Sequence, residues 1–256
     1  MMEYVNGTAN ALVGKVVLVT GGGRRVGAEI VRTLHARGAR IALHYHRSAD
    51  EARDLLRGLN ALRPDSAEGF ALDLLDTSAL AGLTDAIIAR FGRLDGLVNN
   101  ASSFFPTPVG CITESDWDRL VGSNFKAPLF LSQAAAPALA SASGAIVNIT
   151  DIHGERPLAG YPLYSAAKAA LIGLTRALAV DLAPAVRVNA VSPGPILWPE
   201  TPEFDEARRT EVIRHTPLAR IGGPQDIAGA TSFLLFEAPY ITGQILAVDG
   251  GRLVQI

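Results

Sequence analysis

The sequence predicts an α/β fold in which one doubly wound, seven-stranded parallel sheet carries helices on both faces. Short apolar runs rich in Val, Ile and Leu alternate along the chain with longer stretches of helical spacing. The short runs lack strict alternation of apolar and polar residues, which is typical of strands buried on both faces between helix layers. With 256 residues, 48% of them hydrophobic, the chain is long enough to bury a sizeable core.

The elements are predicted in the order strand, helix, strand throughout. The predicted strands are 15–20, 40–45, 69–73, 96–99, 144–150, 186–191 and 244–248. The predicted helices are 26–37, 50–62, 78–91, 114–140, 162–182 and 224–236. No linker or repeat divides the chain, so residues 1–14 are predicted to be an N-terminal tail and residues 15–256 a single domain. Residues 193–206 contain four prolines and are predicted to form a flap over a site.

Composition excludes several function classes. Cys111 is the only cysteine and no Cys/His cluster has zinc-ligand spacing, so neither a disulfide scaffold nor a metal site is expected. A formal net charge of −2 gives no general attraction to nucleic acid or to an anionic membrane. The first 14 residues contain no basic residue, unlike a secretory signal, and polar residues interrupt the uncharged run 127–150. We therefore expect a cytoplasmic protein.

A glycine-rich turn is the first motif. Residues 20–27 read TGGGRRVG and connect the first predicted strand to the first helix. Glycines there allow the backbone to approach a pyrophosphate, which the helix N-terminus stabilises. Arg24 and Arg25 add positive charge where phosphates would lie. The motif predicts a dinucleotide site.

The end of the second strand indicates which dinucleotide. No carboxylate occurs in residues 41–49, where a site for NAD usually places an acid to hold the ribose 2′-hydroxyl. Arg24 and Arg47 instead favour a 2′-phosphate, and hence NADPH. The alternative is that Arg47 and His44 are merely solvated loop residues. Asp73 is a candidate acceptor for the adenine amino group, or else a helix cap beyond Leu75.

Tyr164 and Lys168 lie four residues apart on a predicted helix, so the phenol and the ammonium share one face. A neighbouring cation favours the phenolate, and we expect it to lower the tyrosine pKa from about 10 towards neutrality. Lysine is scarce, with three residues against 20 arginines. Such a pair is common on surfaces, but downstream of a dinucleotide turn it predicts a proton donor.

These motifs together resemble the short-chain dehydrogenase/reductases, which have a Rossmann fold. The resemblance covers residues 15–251 and includes the 20–27 turn, Asn99-Asn100-Ala101, Asn124, Tyr164-x-x-x-Lys168 and Ser192-Pro193-Gly194. It implies that Lys168 binds the nicotinamide ribose and that Asn124 supports a proton relay through water. The residues expected to bind cofactor are Gly21, Arg24, Arg25, Val26, His44, Arg47, Ser48, Asp73, Leu74, Asn100, Ala101, Ser102, Lys168, Pro193, Gly194 and Ile196.

Two positions depart from the family pattern. Arg25 replaces the usual glycine of the turn, and Asp151 replaces the usual catalytic serine, thirteen residues before Tyr164. A serine hydroxyl stabilises the oxyanion that forms when hydride reaches a carbonyl, whereas a carboxylate would repel it. Asp151 therefore favours an acceptor that needs a proton on nitrogen, such as a C=N bond. Both departures resemble the pteridine reductases, as do residues 43–49 and 99–108.

That resemblance implies a pterin site. Arg25 would bridge cofactor phosphate and pterin, Ser102 would hydrogen-bond to either, and Phe104 would stack on the pterin opposite the nicotinamide. The residues expected to bind substrate are Arg25, Ser102, Phe104, Asp151 and Tyr164, and those expected to act in catalysis are Asp151, Tyr164, Lys168 and Asn124. Phe104 as plain core and Asp151 as a cap are the alternatives.

The expectation from sequence is therefore an NADPH-dependent pteridine reductase, which transfers hydride to C=N of a dihydropterin, with dihydrofolate and oxidised pterin as further substrates. The proton comes either from solvent near Asp151 or from Tyr164. The resemblance also implies a homotetramer. The alternatives are a short-chain reductase of a ketone (a sugar, a steroid or a 3-oxoacyl carrier) and a non-catalytic NADPH-binding regulator.

Overall fold

A computed structural model describes residues 11–198 and 205–255 and confirms the predicted fold class. Seven parallel strands form one sheet in the order β3-β2-β1-β4-β5-β6-β7. The strands are β1 Val16–Val19, β2 Arg40–Tyr45, β3 Ala67–Ala71, β4 Gly96–Asn99, β5 Ala145–Ile149, β6 Arg187–Pro193 and β7 Ile245–Val248. The helices are α1 Arg25–Ala36, α2 Ala49–Leu62, α3 Leu80–Phe91, α4 Glu114–Val121, α5 Ala127–Ser141, α6 Pro162–Asp181, α7 Glu206–Arg214 and α8 Pro224–Phe236.

The sheet is buried on both faces because successive strand residues enter different cores. In β1, Val17 and Val19 pack into a cluster with α1, α2 and α8, while Val16 and Leu18 pack into a second cluster with α3 and α5. All four side chains of β1 are fully buried. This explains why the strands read as continuous apolar runs.

The strand order reverses between β1 and β4, which leaves a crevice at the carboxyl ends of these strands. In open parallel sheets this switch point is where ligands bind. The glycine turn follows β1, and Asn100 and Ala101 follow β4, so both predicted cofactor segments border the crevice.

Two predicted elements differ in extent. The third strand runs from Ala67 to Ala71, not over 69–73, and its partly exposed residues pair only with β2 at the sheet edge, so its apolar signal is weak. The long helix predicted over 114–140 is divided into α4 and α5 by a π-helical segment, Gly122–Lys126. A π segment of this kind is a single-turn bulge inside otherwise α-helical chain, and sequence periodicity did not reveal so short an interruption.

The structure describes only parts of the predicted tail and flap, and the flap stays a prediction. Residues 1–10 lie outside the described residues, but Leu12 is buried and its N–H donates to Arg37 O at 2.9 Å, so the domain begins before residue 15. Pro193, the start of the predicted flap, is the last residue of β6, and residues 199–204 lie outside the described part. Helix α7 was not predicted, because Val212 is its one buried residue and the helix lacks an apolar stripe.

Helix α6 is long and apolar enough to cross a membrane, with a mean hydropathy of 1.3 in its most apolar window. However, 56% of that window is buried inside the fold. The helix packs against β6 and the turn after β5, as a core helix does.

Candidate active site

The glycine turn after β1 is built by close backbone contacts. Gly21 has a φ of +61°, and a Cβ on Gly27 would lie 2.2 Å from Gly21 O. The side-chain Nδ2 of Asn100 donates to Thr20 O at 2.8 Å and Gly21 O at 3.2 Å. Thr20 Oγ1 accepts from the N–H groups of Asn100 and Ala101 at 2.9 and 3.0 Å. Thr20 is thus a positioning residue, although the sequence motif that contains it assigned it no role.

Arg25 occupies a backbone conformation that favours glycine. Its φ is +51°. The short-chain dehydrogenase/reductase pattern has glycine at this position, which suits such a φ. A non-glycine residue in this region costs about 1–2 kcal/mol. The side chain reaches across the crevice, where Nη2 donates to the carbonyl oxygens of Leu197 at 3.5 Å and Trp198 at 3.4 Å. The strained residue therefore connects the glycine turn to the segment after β6.

His44 is buried, so the alternative that it is a solvated loop residue is wrong, whereas its role in cofactor binding stays a prediction. The ring is buried in β2, where Nδ1 accepts from Gly21 N–H at 3.2 Å and Nε2 lies 3.0 Å from Leu72 O. Since an N–H only donates and a carbonyl only accepts, the ring is neutral with its proton on Nε2. Burial lowers the His44 pKa to about 4. From its position in β2, His44 therefore holds the backbone of the glycine turn at Gly21.

The positive rim predicted for the 2′-phosphate lies at the ends of β1 and β2. Arg24 and Arg47 are exposed, and a Cβ on Gly23 would lie 3.1 Å from Ser48 Oγ, so the two strand ends are adjacent. Asp73 Oδ1 accepts from Leu75 N–H at 3.0 Å, which caps the loop rather than a helix, and lies 3.7 Å from His46 Nδ1. The adenine role of Asp73 stays a prediction.

Asp151 performs the capping role and also contacts the tyrosine. Its Oδ1 accepts from His153 N–H at 2.8 Å, which caps the short 3-10 helix Ile152–Gly154 after β5. Its Oδ2 accepts from the Tyr164 hydroxyl at 2.7 Å. The cap fixes the carboxylate so that its second oxygen faces the phenol.

The expectation that Lys168 lowers the Tyr164 pKa is wrong in this structure. Tyr164 is buried, and burial, the Asp151 charge and the hydrogen bond to Asp151 raise its pKa well above 10. Lys168 Nζ lies 5.7 Å from the centroid of the Tyr164 ring and donates to Ile149 O at 2.9 Å. Burial lowers the Lys168 pKa to about 8, against the opposing effect of Asp151. The carboxylate is closer to the phenol than the cation is, so its effect prevails.

Phe104 lies against Tyr164, the predicted proton donor. Its ring stacks on Tyr161, with centroids 4.6 Å apart and an interplanar angle of 11°, and meets Tyr164 edge-to-face at 4.8 Å. Phe104 is half-buried at the margin of a small apolar cluster that includes Leu120 and Leu163. Ser102, two residues earlier, is exposed. Tyr161 was not predicted as a site residue, because no sequence motif includes it.

Asn124 lies in the π-helical segment beneath this cluster. Its Nδ2 donates to Ser103 O at 2.9 Å and to Leu120 O at 3.0 Å. Within residues 11–198 and 205–255, its buried Oδ1 has no hydrogen-bond partner. A buried acceptor of this kind suits an ordered water molecule.

The remaining predicted cofactor residues surround the same crevice. Gly194 follows β6, and a Cβ there would lie 2.7 Å from Asp249 Cα, so this position requires glycine. Of the remaining residues in the predicted cofactor set, Ile196 and Leu74 are buried, and Val26, Ala101 and Pro193 are partly buried.

Comparison with known proteins gives the same assignment over nearly the whole chain. A family model described as Enoyl-(Acyl carrier protein) reductase matches residues 23–252. Pteridine reductase 1 of Leishmania tarentolae is 38% identical over 277 aligned residues, covering 92% of this chain and 95% of that protein. The 3-oxoacyl-(acyl-carrier-protein) reductase FabG of Salmonella typhimurium is 34% identical over 241 residues, covering 93% of this chain and 97% of that protein.

A solved structure is similar as well. The blue fluorescent protein from a metagenomic library, in complex with NADPH, has a TM-score of 0.87 and 39% identity, covering 94% of this chain and 98% of that one. The fold, the order of the motifs and these relatives agree. The chain therefore belongs to the short-chain dehydrogenase/reductase family and is an oxidoreductase of that family.

Proposed function

We propose that the protein is an NADPH-dependent reductase of a pterin C=N bond. The observation that carries this proposal is the 2.7 Å hydrogen bond from Tyr164 to Asp151. It aims a carboxylate at the position where relatives of the ketone-reducing type have a hydroxyl. A carboxylate there opposes a developing oxyanion and suits an acceptor nitrogen that takes up a proton.

The crevice fits NADPH. The glycine turn opens at the N-terminus of α1, a position that favours phosphate. Exposed Arg24 and Arg47 supply the cations for a 2′-phosphate, and Ser48 lies beside Gly23 at the same rim. Lys168 Nζ, buried and held by Ile149 O, retains two further N–H donors for ribose hydroxyls. The NADPH-bound relative with 39% identity supports the same cofactor.

NADPH, when bound, supplies the hydride for the reaction. The protein's own groups orient the acceptor and handle the proton. An efficient proton donor has a pKa near the working pH, and the Tyr164 pKa is raised far above that range. For a 7,8-dihydropterin we therefore assign the proton on ring N5 to water relayed at Asp151, with Tyr164 orienting the carboxylate. The buried acceptor of Asn124 extends this water path.

Phe104 forms the wall for the flat ring. One neighbour, Tyr161, stacks on it at 4.6 Å, which fixes its orientation before any substrate binds. An aromatic heterocycle placed on a fixed ring gains roughly 1 kcal/mol beyond burial. Arg25 extends from the glycine turn to Trp198 O. In this proposal its guanidinium contributes a positive charge to the pterin site.

Reduction of a 3-oxoacyl ketone is the second candidate function, because FabG of Salmonella typhimurium is 34% identical over a similar length. Asp151 argues against it on the charge grounds given above. The two candidates are separated by NADPH oxidation with 7,8-dihydrobiopterin, 7,8-dihydrofolate and a ketone panel side by side. Pterin turnover exceeding ketone turnover is expected, and preference for a ketone would overturn the proposal.

The homotetramer expected from the family resemblance is a further proposal. The edge strand β7 leaves Leu246 exposed, and Phe233 on the neighbouring α8 and Tyr240 are exposed as well. Apolar side chains at a sheet edge are suited to contact with a second copy. Light scattering on the purified full chain, giving four times the 26.9 kDa chain mass, is the expected result.

A further inference from the structure

A cavity of about 440 Å³ lies beside the turn that follows Asp151. It is bounded by the residues that follow Asp151, by helix α7 and by the C-terminal residues 252–255. Its size is within the range of small-molecule sites. None of the motifs in the sequence points to it, because its three walls are far apart along the chain.

The cavity is strongly cationic. The charged and titratable side chains lining its described walls are Arg156, Arg208, Arg252, His153, His215 and Glu211. With both histidines neutral, these groups sum to a charge of +2. The like charges act on one another, since burial and then the nearby Arg208 lower the Arg252 pKa. An arrangement of three guanidinium groups around a concave surface favours an anion.

The guanidinium groups retain donors for such an anion. Among the described residues, their hydrogen bonds all use Nη1: Arg252 donates to Val212 O at 2.9 Å, Arg208 to Glu211 Oε2 at 3.0 Å, and Arg156 to Gln255 O. Each guanidinium has five N–H donors in a planar fork. One bond therefore anchors each group and leaves the remaining donors for a ligand.

The histidines are held in the same manner. His153 Nδ1 lies 3.0 Å from Arg156 O, and His215 Nδ1 lies 2.9 Å from Glu211 O. A carbonyl only accepts, so Nδ1 carries the proton in both rings. A backbone carbonyl therefore fixes the tautomer and the orientation of each ring.

Two residues that line the cavity also contact residues of the proposed catalytic centre. The N–H of His153 donates to Asp151 Oδ1 at 2.8 Å, so a lining residue is bonded to the catalytic carboxylate. Leu158 also lines the cavity and packs on the cluster of Phe104 and Tyr164. A ligand whose ring lies on Phe104 would therefore have a neighbouring cationic cavity for a substituent.

We propose that this cavity, named here the anion subsite, binds the negatively charged tail of the substrate. The recognised chemistry is a carboxylate or phosphate group attached to the reducible ring. The inference rests on the proposed function and deepens it, because it selects pterins with anionic tails over neutral ones. Arg208 is paired with Glu211 at 3.0 Å, so loss of either Arg156 or Arg208 leaves the cavity less positive.

The test compares three substrates in NADPH oxidation: 7,8-dihydrobiopterin, which has a neutral tail, 7,8-dihydrofolate, which has carboxylates, and 7,8-dihydroneopterin monophosphate. The variants are Arg156→Gln and Arg208→Gln. Arg214→Gln is the matched control, since Arg214 lies on the same helix but outside the cavity. In the two subsite variants, we expect kcat/KM for a tailed substrate, relative to dihydrobiopterin, to fall about tenfold through KM.

The outcomes separate the two proposals. A fall confined to dihydrofolate identifies a carboxylate tail, and a fall confined to the monophosphate identifies a phosphate tail. Equal ratios in wild type and variants overturn the subsite while leaving pterin reduction in place. Absence of pterin turnover in the wild type overturns the proposed function instead. In that case titration of inorganic pyrophosphate into the NADPH-saturated protein still tests the subsite, which requires weaker binding in Arg156→Gln than in Arg214→Gln.

Discussion

The hydroxyl of Tyr164 lies 2.7 Å from Oδ2 of Asp151 and donates a hydrogen bond to it. Together with burial of the phenol, this contact raises the Tyr164 pKa, whereas the tyrosine and lysine motif was expected to lower it. Burial and the carboxylate favour the protonated phenol, while Lys168 Nζ donates to Ile149 O and lies 5.7 Å from the centre of the Tyr164 ring. The role proposed for Asp151 in the reaction depends on this contact.

Replacement of Asp151 tests its role directly. In Asp151→Ser we expect kcat/KM for 7,8-dihydrobiopterin to fall by roughly 10²–10³, because the proton relay is lost. Reduction of a ketone should survive or rise, since a hydroxyl then replaces the repelling charge. Asp151→Asn is the control for structure, because an amide oxygen can still cap His153 N–H. Undiminished pterin turnover in Asp151→Ser would refute the role.

The buried Lys168 predicts a specific dependence of stability on pH. Its pKa is about 8 in the folded protein, against 10.5 for a fully solvated lysine, so between these values the unfolded chain binds more protons. The free energy of unfolding contributed by Lys168 should therefore rise with pH over this window, by roughly 3 kcal/mol in total at most. The measurement is urea unfolding at several pH values.

Lys168→Met is the comparison that isolates this effect. The difference in unfolding free energy between wild type and variant should change from about pH 8 upwards. A difference that stays constant over that window would contradict the depressed pKa. We also expect the variant to bind NADPH more weakly, because it lacks the N–H donors proposed to bind the ribose. Fluorescence titration measures this effect.

His44 predicts a loss of stability on the acid side. Its pKa is about 4 in the fold, against 6.5 for a fully solvated histidine, so stability is lost as pH falls through this range. Protonation of Nδ1 in the folded protein also removes the acceptor for Gly21 N–H, so NADPH affinity should fall only as the pH drops through about 4. In His44→Asn the acid-side loss contributed by His44 should disappear. His46→Asn, which removes an exposed ring two residues away, should keep it; its disappearance there would contradict the assignment.

Replacement of Arg25 tests its backbone strain and its guanidinium separately. Arg25→Gly removes the cost of the +51° φ, so we expect it to be more stable than Arg25→Ala by about 1 kcal/mol. Both variants lose the guanidinium, and both should bind pterin more weakly. Thermal unfolding and KM for 7,8-dihydrobiopterin measure the two effects. Equal stability of the glycine and alanine variants would show that the backbone there is not strained.

The fold was predictable from the sequence because its signals are local. Apolar runs of four to seven residues separated by amphipathic stretches can be buried only as a sheet between helix layers. The glycine turn was predictable for a similar reason, since close contacts such as that between Gly27 and Gly21 O exclude every larger side chain. Helix α7 escaped because its exposed residues follow no apolar period.

By itself, the sequence determined the fold class, the crevice and the two departures at Arg25 and Asp151, since each depends on residue type at a fixed spacing. Only the tertiary structure decided the electrostatics. Tyr164 lies closer to Asp151 than to the Lys168 cation, and the His44 ring is enclosed behind the glycine turn. A pKa depends on burial and on distance to charges, and neither quantity is encoded at any single position of the chain.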